Sequence, residues 1–364
     1  MKILYLAPLP PPITGHSIAS KVLLEHLQGQ HSVEVVDLME GSKHDGTVTV
    51  QRLIAILKVI LKVMISARRA DCLYLTISES IAGNLKDRLI YIVIGKLNKH
   101  TVIHLHGGSF GRLILDRFHI LFKLNRFFIS KIGGVVVSGP SHVAIFDNLI
   151  SSDRIHKIPN FAQGFMFVRL EEIEKKFSEG IGKVRVLYVS GMTAGKGYLK
   201  LLEAYEALSD PIKSRIQLDF AGKFDSEIDR YHFTNRISGQ ADIKYHGIVS
   251  DKVKAKLFAE AHIFCLPTSF LEGQPISIIE AYASGCVVLS TPRPGILDIF
   301  EPLENGYLIS SVDSIIIKEV IELKCLSLPE LKIIAIKNRL LSDKLYREKL
   351  FCQKIEYLLT EVGS

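Results

Sequence analysis

Short apolar runs alternate with helix-like segments along the whole chain, and that alternation is the tightest constraint on what it can fold into. KILYLAP, VEVVDL, CLYLTI, TVIHLHG and GGVVVSGP read as strands of the first half. RVLYVSG, IQLDFAG, DIKYHG, IFCLPT and CVVLST read as strands of the second. Each run is almost continuously apolar, so both faces of each strand should be covered. Such strands, separated by helices, build parallel sheets. Between IHKIPN and RVLYVSG the chain turns highly charged and Gly-bearing, as a linker does. The expectation is an α/β protein with two doubly wound domains, and a ligand cleft at the carboxyl ends of both sets of strands.

The bulk properties exclude several classes. At 364 residues there is material for two cores, and 48% hydrophobic against 23% charged residues is a globular balance, not a disordered one. MKILYLAPLPPP alternates like a first strand and lacks the long apolar core of a signal peptide. No run of 18 apolar residues is free of charge, so a membrane span is not expected. The five cysteines (Cys72, Cys265, Cys286, Cys325, Cys352) are scattered without C-x-x-C spacing, which suits buried thiols in a reducing, cytoplasmic compartment.

Four segments can carry chemistry. In APLPPPITGHSIAS a strand ends, prolines follow, and Gly15 precedes a helix whose N-terminus could face an anion. In HLHGGSF, His104 and His106 share one face of a strand; no third ligand stands at a recognisable spacing, which disfavours a metal. His106, at the strand's carboxyl end before two glycines, is the better placed to touch a ligand. His104 reads as a core histidine. VLYVSGMTAGKGYLKLLEAY resembles a phosphate loop, but only three residues separate Gly191 from Gly195-Lys196, and Gly197 occupies the position of the magnesium-binding hydroxyl. An NTPase is therefore excluded, while Lys196 remains able to meet a phosphate as a point charge. In SFLEGQPISIIEAYASG, Pro275 suits a first helical turn, with Glu272 in the loop before it and Glu280 inside it. At about 1.5 Å rise per residue the two carboxylates stand roughly 8–10 Å apart, too far to share a proton. They are placed to hold two parts of one extended ligand whose phosphates face the helix N-terminus. No D-x-D is present, so a diphosphate held here would rely on Lys196 and a helix dipole, without an obligatory metal or other cofactor.

Together these segments resemble the GT-B-fold nucleotide-sugar glycosyltransferases, most closely family 4, the group 1 glycosyltransferases of bacterial surface-polysaccharide synthesis. FLEGQPISIIEAYASGCVVLST matches that family's Glu-x7-Glu signature at Glu272 and Glu280, and ENGYLI follows at the usual distance. The resemblance implies two Rossmann-like domains facing across a cleft: residues 1–165 as the acceptor domain, 183–345 as the donor domain, and a C-terminal helix in 346–364 packing back towards the first. It implies retaining transfer of a sugar from a nucleotide-diphosphate donor by front-face substitution, in which the leaving phosphate helps remove the acceptor's proton. Glu272, His106 and Lys196 then carry the chemistry: Glu272 binds sugar hydroxyls, His106 lies near the transferred sugar and Lys196 supports the leaving phosphate. Glu280 binds the ribose, and the N–H groups of Ile276 and Ser277, beside Gly273, face the diphosphate. Gly15 and Gly191 line the site, and His246-Gly247-Ile248 meets the base. Two departures stand out. Met192 occupies the place of the family's usual arginine, leaving Arg293 or Lys223 to replace that charge, and His16 follows Gly15 where a second glycine is frequent.

The excess charge has a place as well. Residues 1–180 carry 22 Lys+Arg against 15 Asp+Glu, and the remainder balances at 23 against 23. Basic residues fall in line at helical spacing in QRLIAILKVILKVMISARR (Gln51, Lys58, Lys62, Arg69) and in RLILDRFHILFKLNRFFISK (Arg112, His119, Lys123, Arg126, Lys131). Such helices suit the anionic inner leaflet and, with it, a polyprenyl-diphosphate-linked saccharide acceptor. No recognised nucleic-acid module is present. The competing expectations are a GT-B sugar-nucleotide epimerase, which consumes the donor without an acceptor, a phosphorylase-like GT-B enzyme, and a GT-B scaffold that binds nucleotide without turnover.

Overall fold

The computed structural model of the protein describes residues 1–39, 50–178 and 182–364, without the side chains of 50–53. The chain forms two compact units. Unit 1 comprises Met1–Asn160, Glu272–Gln274 and Glu348–Ser364; unit 2 comprises Phe161–Leu271 and Pro275–Arg347.

Unit 1 holds a parallel sheet of β1 (Lys2–Ala7), β2 (Ser32–Asp37), β3 (Cys72–Thr76), β4 (Thr101–Leu105), β5 (Gly134–Val137) and β6 (Ile155–Lys157), in the order β2-β1-β3-β4-β5-β6. Its helices include α1 (Gly15–Gln28), α2 (Val50–Ser66), α3 (Ile81–Ile94) and α4 (His119–Ile129). Every residue of β3, β4 and β5 is buried, as continuous apolar runs require when helices cover both faces. Three aromatic side chains of this core carry polar groups that are paired. Tyr5 stacks on Tyr74 at 4.9 Å, Tyr5 donates its hydroxyl to Ser20 O at 2.7 Å, and Tyr74 Oη bonds His104 Nδ1 at 2.6 Å. The C-terminal helix Glu348–Gly363 packs on α1, β3 and β4, and its Glu356 accepts from His26 at 2.8 Å and His31 at 2.9 Å.

Unit 2 holds β7 (Val184–Val189), β8 (Ile216–Ala221), β9 (Ile243–Tyr245), β10 (Ile263–Leu266), β11 (Val287–Ser290) and β12 (Gly306–Leu308), again all parallel, in the order β12-β11-β10-β7-β8-β9. All ten runs read from the sequence are strands. The short β6 and β12 are the additions.

Two further differences have local causes. The charged stretch expected as a linker begins unit 2: it contains the helix Leu170–Lys176, and Met166, Ile173 and Phe177 are buried in that unit's core. Its charges lie on the wet face of an element that docks, except Lys176, whose Nζ turns inward to donate to Ser284 O at 2.9 Å. The second basic segment is not one helix. A π-turn spans Gly111–Leu115, Phe118 is extended at φ −143°, and α4 starts only at His119. No Gly or Pro marks this break, so the apolar periodicity runs through it and Arg112 does not share the line of Lys123 and Arg126. In α2, Gln51 lies outside the described side chains.

Among the described residues no helix is long and apolar enough to cross a membrane. All five cysteines are buried and unpaired with one another.

Burial alone would raise the pKa of Glu356, but the hydrogen bonds from His26 and His31 carry it below the ordinary carboxylate value. Glu356→Ala should therefore cost on the order of 1–3 kcal/mol. Chemical denaturation followed by circular dichroism reads the loss, and an unchanged midpoint would remove this anchor from the account.

Candidate active site

In each sheet the chain order reverses at one place, leaving a crevice outside the carboxyl ends of two neighbouring strands. In unit 2 that place lies between β10 and β7, and in unit 1 between β1 and β3.

At the unit 2 switch point, two loops are locked together. After β7 the chain makes a 3₁₀ turn, Ala194–Lys196, and Gly197 follows at φ +79°. A Cβ on Gly197 would lie 2.0 Å from Pro267 O, so only glycine lets this loop press against the segment leaving β10. That is the physical reason the position holds no hydroxyl. Ser269 N donates to Gly195 O at 2.8 Å, and the Phe270 ring lies where a Gly195 Cβ would be. Lys196 Nζ stands 5.5 Å from the Phe270 ring centroid. Gly191 lies just beyond β7, its carbonyl accepting from Tyr188 Oη at 2.9 Å. Met192 is in the core, 1% exposed, and its N–H donates to Lys223 O at 2.8 Å. The Met192 side chain thus packs inward, and Arg293 sits beside the Lys196 loop instead. Its Nε donates to Thr268 O at 3.1 Å, next to Ser269, which holds Gly195.

From β10 the chain passes through Glu272-Gly273-Gln274 to the helix Ile276–Ala283, with Pro275 as its N-cap and Ile276 and Ser277 in its first turn. Glu280 is 3% exposed, and its Oε1 accepts from Lys254 Nζ at 2.7 Å. Burial pushes the Glu280 pKa up and Lys254 opposes the shift. Gly247 at φ +68° and Ile248, 69% exposed, follow β9; Gly247 O accepts from Gly222 N at 2.9 Å. His246 Nε2 bonds Asp219 Oδ1 at 2.7 Å. Lys196, Gly191, Ile276, Ser277, Gly247, Ile248 and Arg293 therefore all lie at the carboxyl edge of one sheet, and Glu280 lies one turn into its helix. This edge offers a cation, a helix N-terminus and a buried carboxylate, which together suit an anion joined to a hydroxylated group.

The Glu272–Gln274 segment packs within unit 1. Gln274 Nε2 donates to Ser138 O at 3.2 Å, and its Oε1 accepts from Asn160 N at 2.6 Å. A Cβ on Gly273 would lie 2.0 Å from His106 O, so the glycine of this motif makes room for the backbone of the histidine.

The unit 1 switch point opens on a cavity of about 420 Å³. Thr14 lines it from the loop after β1, His16 and Ser17 from the first turn of α1, Glu79 and Lys86 from beyond β3, and His106 and Gly107 from beyond β4. Gly15 is the first residue of α1, which Thr14 caps by accepting from Ser17 N at 3.0 Å. His104, His106 and His16 stack in a column, with ring centroids 3.8 Å and 4.2 Å apart. Each keeps an Nε2 that is buried without a hydrogen-bond partner. Burial, reinforced by Lys86, lowers the His16 pKa to about 4; burial, reinforced by His16, lowers that of His104 to about 3. His106 is lowered by burial and by both neighbours. The column is thus neutral near pH 7. Beside it, Glu79 Oε1 accepts from Ser109 N at 2.5 Å, and burial raises the Glu79 pKa against that bond. Glu79 lies over Gly107, where a Cβ would meet its Oε2 at 1.8 Å, so the glycine after His106 makes room for a carboxylate. Among the described residues no group of three His, Cys, Asp or Glu is arranged to hold a metal ion.

Sequence reasoning passed over Glu79, Lys86, the Lys254–Glu280 pair and the stacking of His16. Only Glu79 left a signal, as a polar residue just past the carboxyl end of a buried strand.

Comparison with known proteins bears on the fold. Residues 171–334 match the model of the family described as glycosyl transferases group 1. No curated protein matches the chain in sequence. Among solved structures, Anabaena HepE in complex with UDP and glucose superposes with a TM-score of 0.72 at 16% identity, covering 99% of this chain and 100% of that one. Sucrose-phosphate synthase from Thermosynechococcus elongatus gives 0.75 at 13% identity, over 100% and 99%. WaaG, a glycosyltransferase involved in lipopolysaccharide biosynthesis, gives 0.72 at 13%, over 99% and 100%. The fold is that of the GT-B glycosyltransferases, with two Rossmann-like units.

The histidine column makes a pH prediction. A folded pKa below the ordinary 6.5 means that the unfolded chain takes up protons first, so stability falls as pH drops from about 6.5 towards 4. His16→Leu should flatten that slope in urea titrations across this range. An unaltered slope would show that His16 is not held neutral by burial.

Proposed function

We propose that this protein is a retaining glycosyltransferase that moves a sugar from a nucleotide-diphosphate donor to a lipid-linked saccharide, at the inner face of the cell membrane, in bacterial surface-polysaccharide assembly. The observation that carries it is the unit 2 switch point, where a glycine-locked lysine loop is packed against the segment leaving β10 and shares its sheet edge with the start of the helix Ile276–Ala283, within a segment matching group 1 glycosyltransferases. HepE's complex with UDP and glucose, on the same fold, supports a UDP-sugar as the first donor to try.

In this account the diphosphate lies against the N–H groups of Ile276 and Ser277, with Lys196 and Arg293 as the cations. Glu280 accepts from the ribose hydroxyls, with Lys254 holding its carboxylate in place. Gly247 and Ile248 meet the base, and Glu272 binds the sugar. The charge that grows in the transition state is on the leaving phosphate, and preorganised donors and cations lower that barrier without reorganising. The buried, neutral His106 can accept or donate one hydrogen bond at the sugar without adding charge. Glu280 is buried and ion-paired, which suits binding and not nucleophilic attack. Front-face substitution follows, with the leaving phosphate oxygen taking the acceptor's proton. The acceptor is held by unit 1, the half that carries the excess positive charge and so favours an anionic lipid carrier.

Mass spectrometry of products from UDP-, GDP- and dTDP-sugars, offered with lipid-linked acceptors, tests the assignment. A glycosylated lipid is expected. Donor converted to another nucleotide sugar without acceptor would instead show an epimerase, and tight nucleotide binding without turnover across the panel would show a scaffold. Lys196→Ala should lower kcat/KM on the order of 10²–10³-fold, the usual effect of losing one preorganised donor, and Arg293→Ala should add to that loss. Unchanged turnover would remove the altered residue from the site. Glu272→Gln should impair transfer more than binding of the bare nucleotide, as competition with nucleoside diphosphate reads. Equal losses would contradict its place at the sugar.

A further inference from the structure

Three helices of unit 1 leave apolar side chains in water along one side of each. On α2 they are Ile54, Leu57, Leu61 and Ile65; on α3, Ile81, Leu85, Leu89 and Ile92; at α4, Phe118, Ile120, Leu124 and Phe127. Every one is at least 39% exposed. Steps of three and four residues put each helical set on a single stripe. In the fold, α3 packs against both α2 and α4, so these stripes belong to neighbouring helices. Scattered exposed leucines need no explanation, but twelve large apolar residues on three adjoining helices do.

The charge around them identifies the partner. Residues 50–131 hold 14 Lys and Arg against 4 Asp and Glu, an excess of ten where the whole chain has seven. Lys58 and Lys62, exposed, flank the α2 stripe, and Lys123 and Arg126, exposed, flank that of α4. At the two ends of α4, Arg117 lies over the Phe118 ring and Lys131 over the Phe127 ring, at 5.5 and 3.4 Å from the centroids. Apolar stripes bordered by cations and by aromatic rings are what an anionic lipid surface accepts: the apolar residues enter the acyl boundary and the cations stay among the headgroups.

We propose that α2, α3 and α4 form a docking face that binds an anionic bilayer by inserting this apolar surface, with the flanking lysines and arginines as a secondary, electrostatic attraction. This rests on the membrane location proposed above and assigns it to particular residues. It also moves the contact from the basic line singled out in the sequence to the apolar side of each helix. The face bears on function through the cavity. Ala55, Ile56 and Val59 of α2 and Ala82, Gly83 and Lys86 of α3 line the unit 1 cavity with the sides of the helices that do not carry the stripes. Docking through α2 and α3 therefore sets the cavity on the far side of these helices, one helix diameter (roughly 10 Å) from the lipid surface, within reach of the saccharide head of an amphiphilic acceptor whose tail stays in the bilayer.

Flotation of the full chain with phosphatidylethanolamine–phosphatidylglycerol vesicles tests this. The wild type should float, and should still float at about 1 M salt, where the Debye length is about 3 Å. Leu57→Asp/Leu61→Asp/Leu85→Asp should partition about tenfold less or weaker still, with melting temperature and nucleotide affinity unchanged, since all three sites are exposed. Ile92→Ser/Phe127→Ser gives the same test with milder chemistry. Vesicle binding unchanged in both variants, or wild-type binding lost completely in high salt, would overturn the proposal. So would a wild-type dimer that these substitutions convert to monomer without any flotation, because the face would then bind a second copy. If Lys58→Glu/Lys62→Glu abolishes flotation and the apolar variants do not, the membrane location stands and apolar docking falls. A wild type that never floats removes both.

Discussion

The pairing of β10 with β7 is the contact on which unit 2 depends. These strands are far apart in the chain, and their parallel register, Ile263 against Val186 and Phe264 against Leu187, brings the loops that follow them side by side. Gly197 completes the arrangement, because its backbone passes the Pro267 carbonyl too closely for any side chain. A lysine loop and a helix N-terminus thereby share one edge, the loop fixed by its backbone contacts with the segment leaving β10. Positive charge gathered before the substrate arrives is what gives electrostatic catalysis its advantage over water.

Unit 1 solves a different problem at the equivalent place. Its switch point is lined by neutral imidazoles and a raised carboxylate, not by exposed cations. Gly107 and Gly273 do for this side what Gly197 does for the other: one admits the Glu79 carboxylate and the other the His106 carbonyl. The glycines of both motifs thus record close approaches of other groups. A partly apolar cavity whose lining Lys86 is already ion-paired with Asp87 suits a saccharide head better than it suits a phosphate.

Much of this was legible in the sequence because it rests on local pattern. Ten apolar runs gave ten strands, and the Glu272–Glu280 spacing, Pro275 and the Lys196 loop identified the edge of unit 2 before any coordinate. What could not be read depends on side chains meeting across the fold. Nothing local shows that Lys254 pairs with Glu280, that Arg293 is tied through Thr268 to the Lys196 loop, or that His16 stacks on His106. The break before α4 was hidden because no Gly or Pro lies between Arg112 and His119, so the periodicity runs on unmarked. The exposed stripes of α2, α3 and α4 were hidden for the opposite reason: an apolar residue at helical spacing is ordinarily core, and only the fold shows which side of a helix is covered.

The central claim is that the carboxyl edge of unit 2 holds a nucleoside diphosphate through Lys196, Arg293 and the Ile276–Ala283 helix, without a divalent metal. Calorimetric titration with UDP, GDP and dTDP, each with and without a chelator, tests it most directly. One of the three should bind with an affinity that chelation leaves unchanged and that Lys196→Ala weakens. Binding that vanishes on chelation, or that is indifferent to Lys196, would contradict the account.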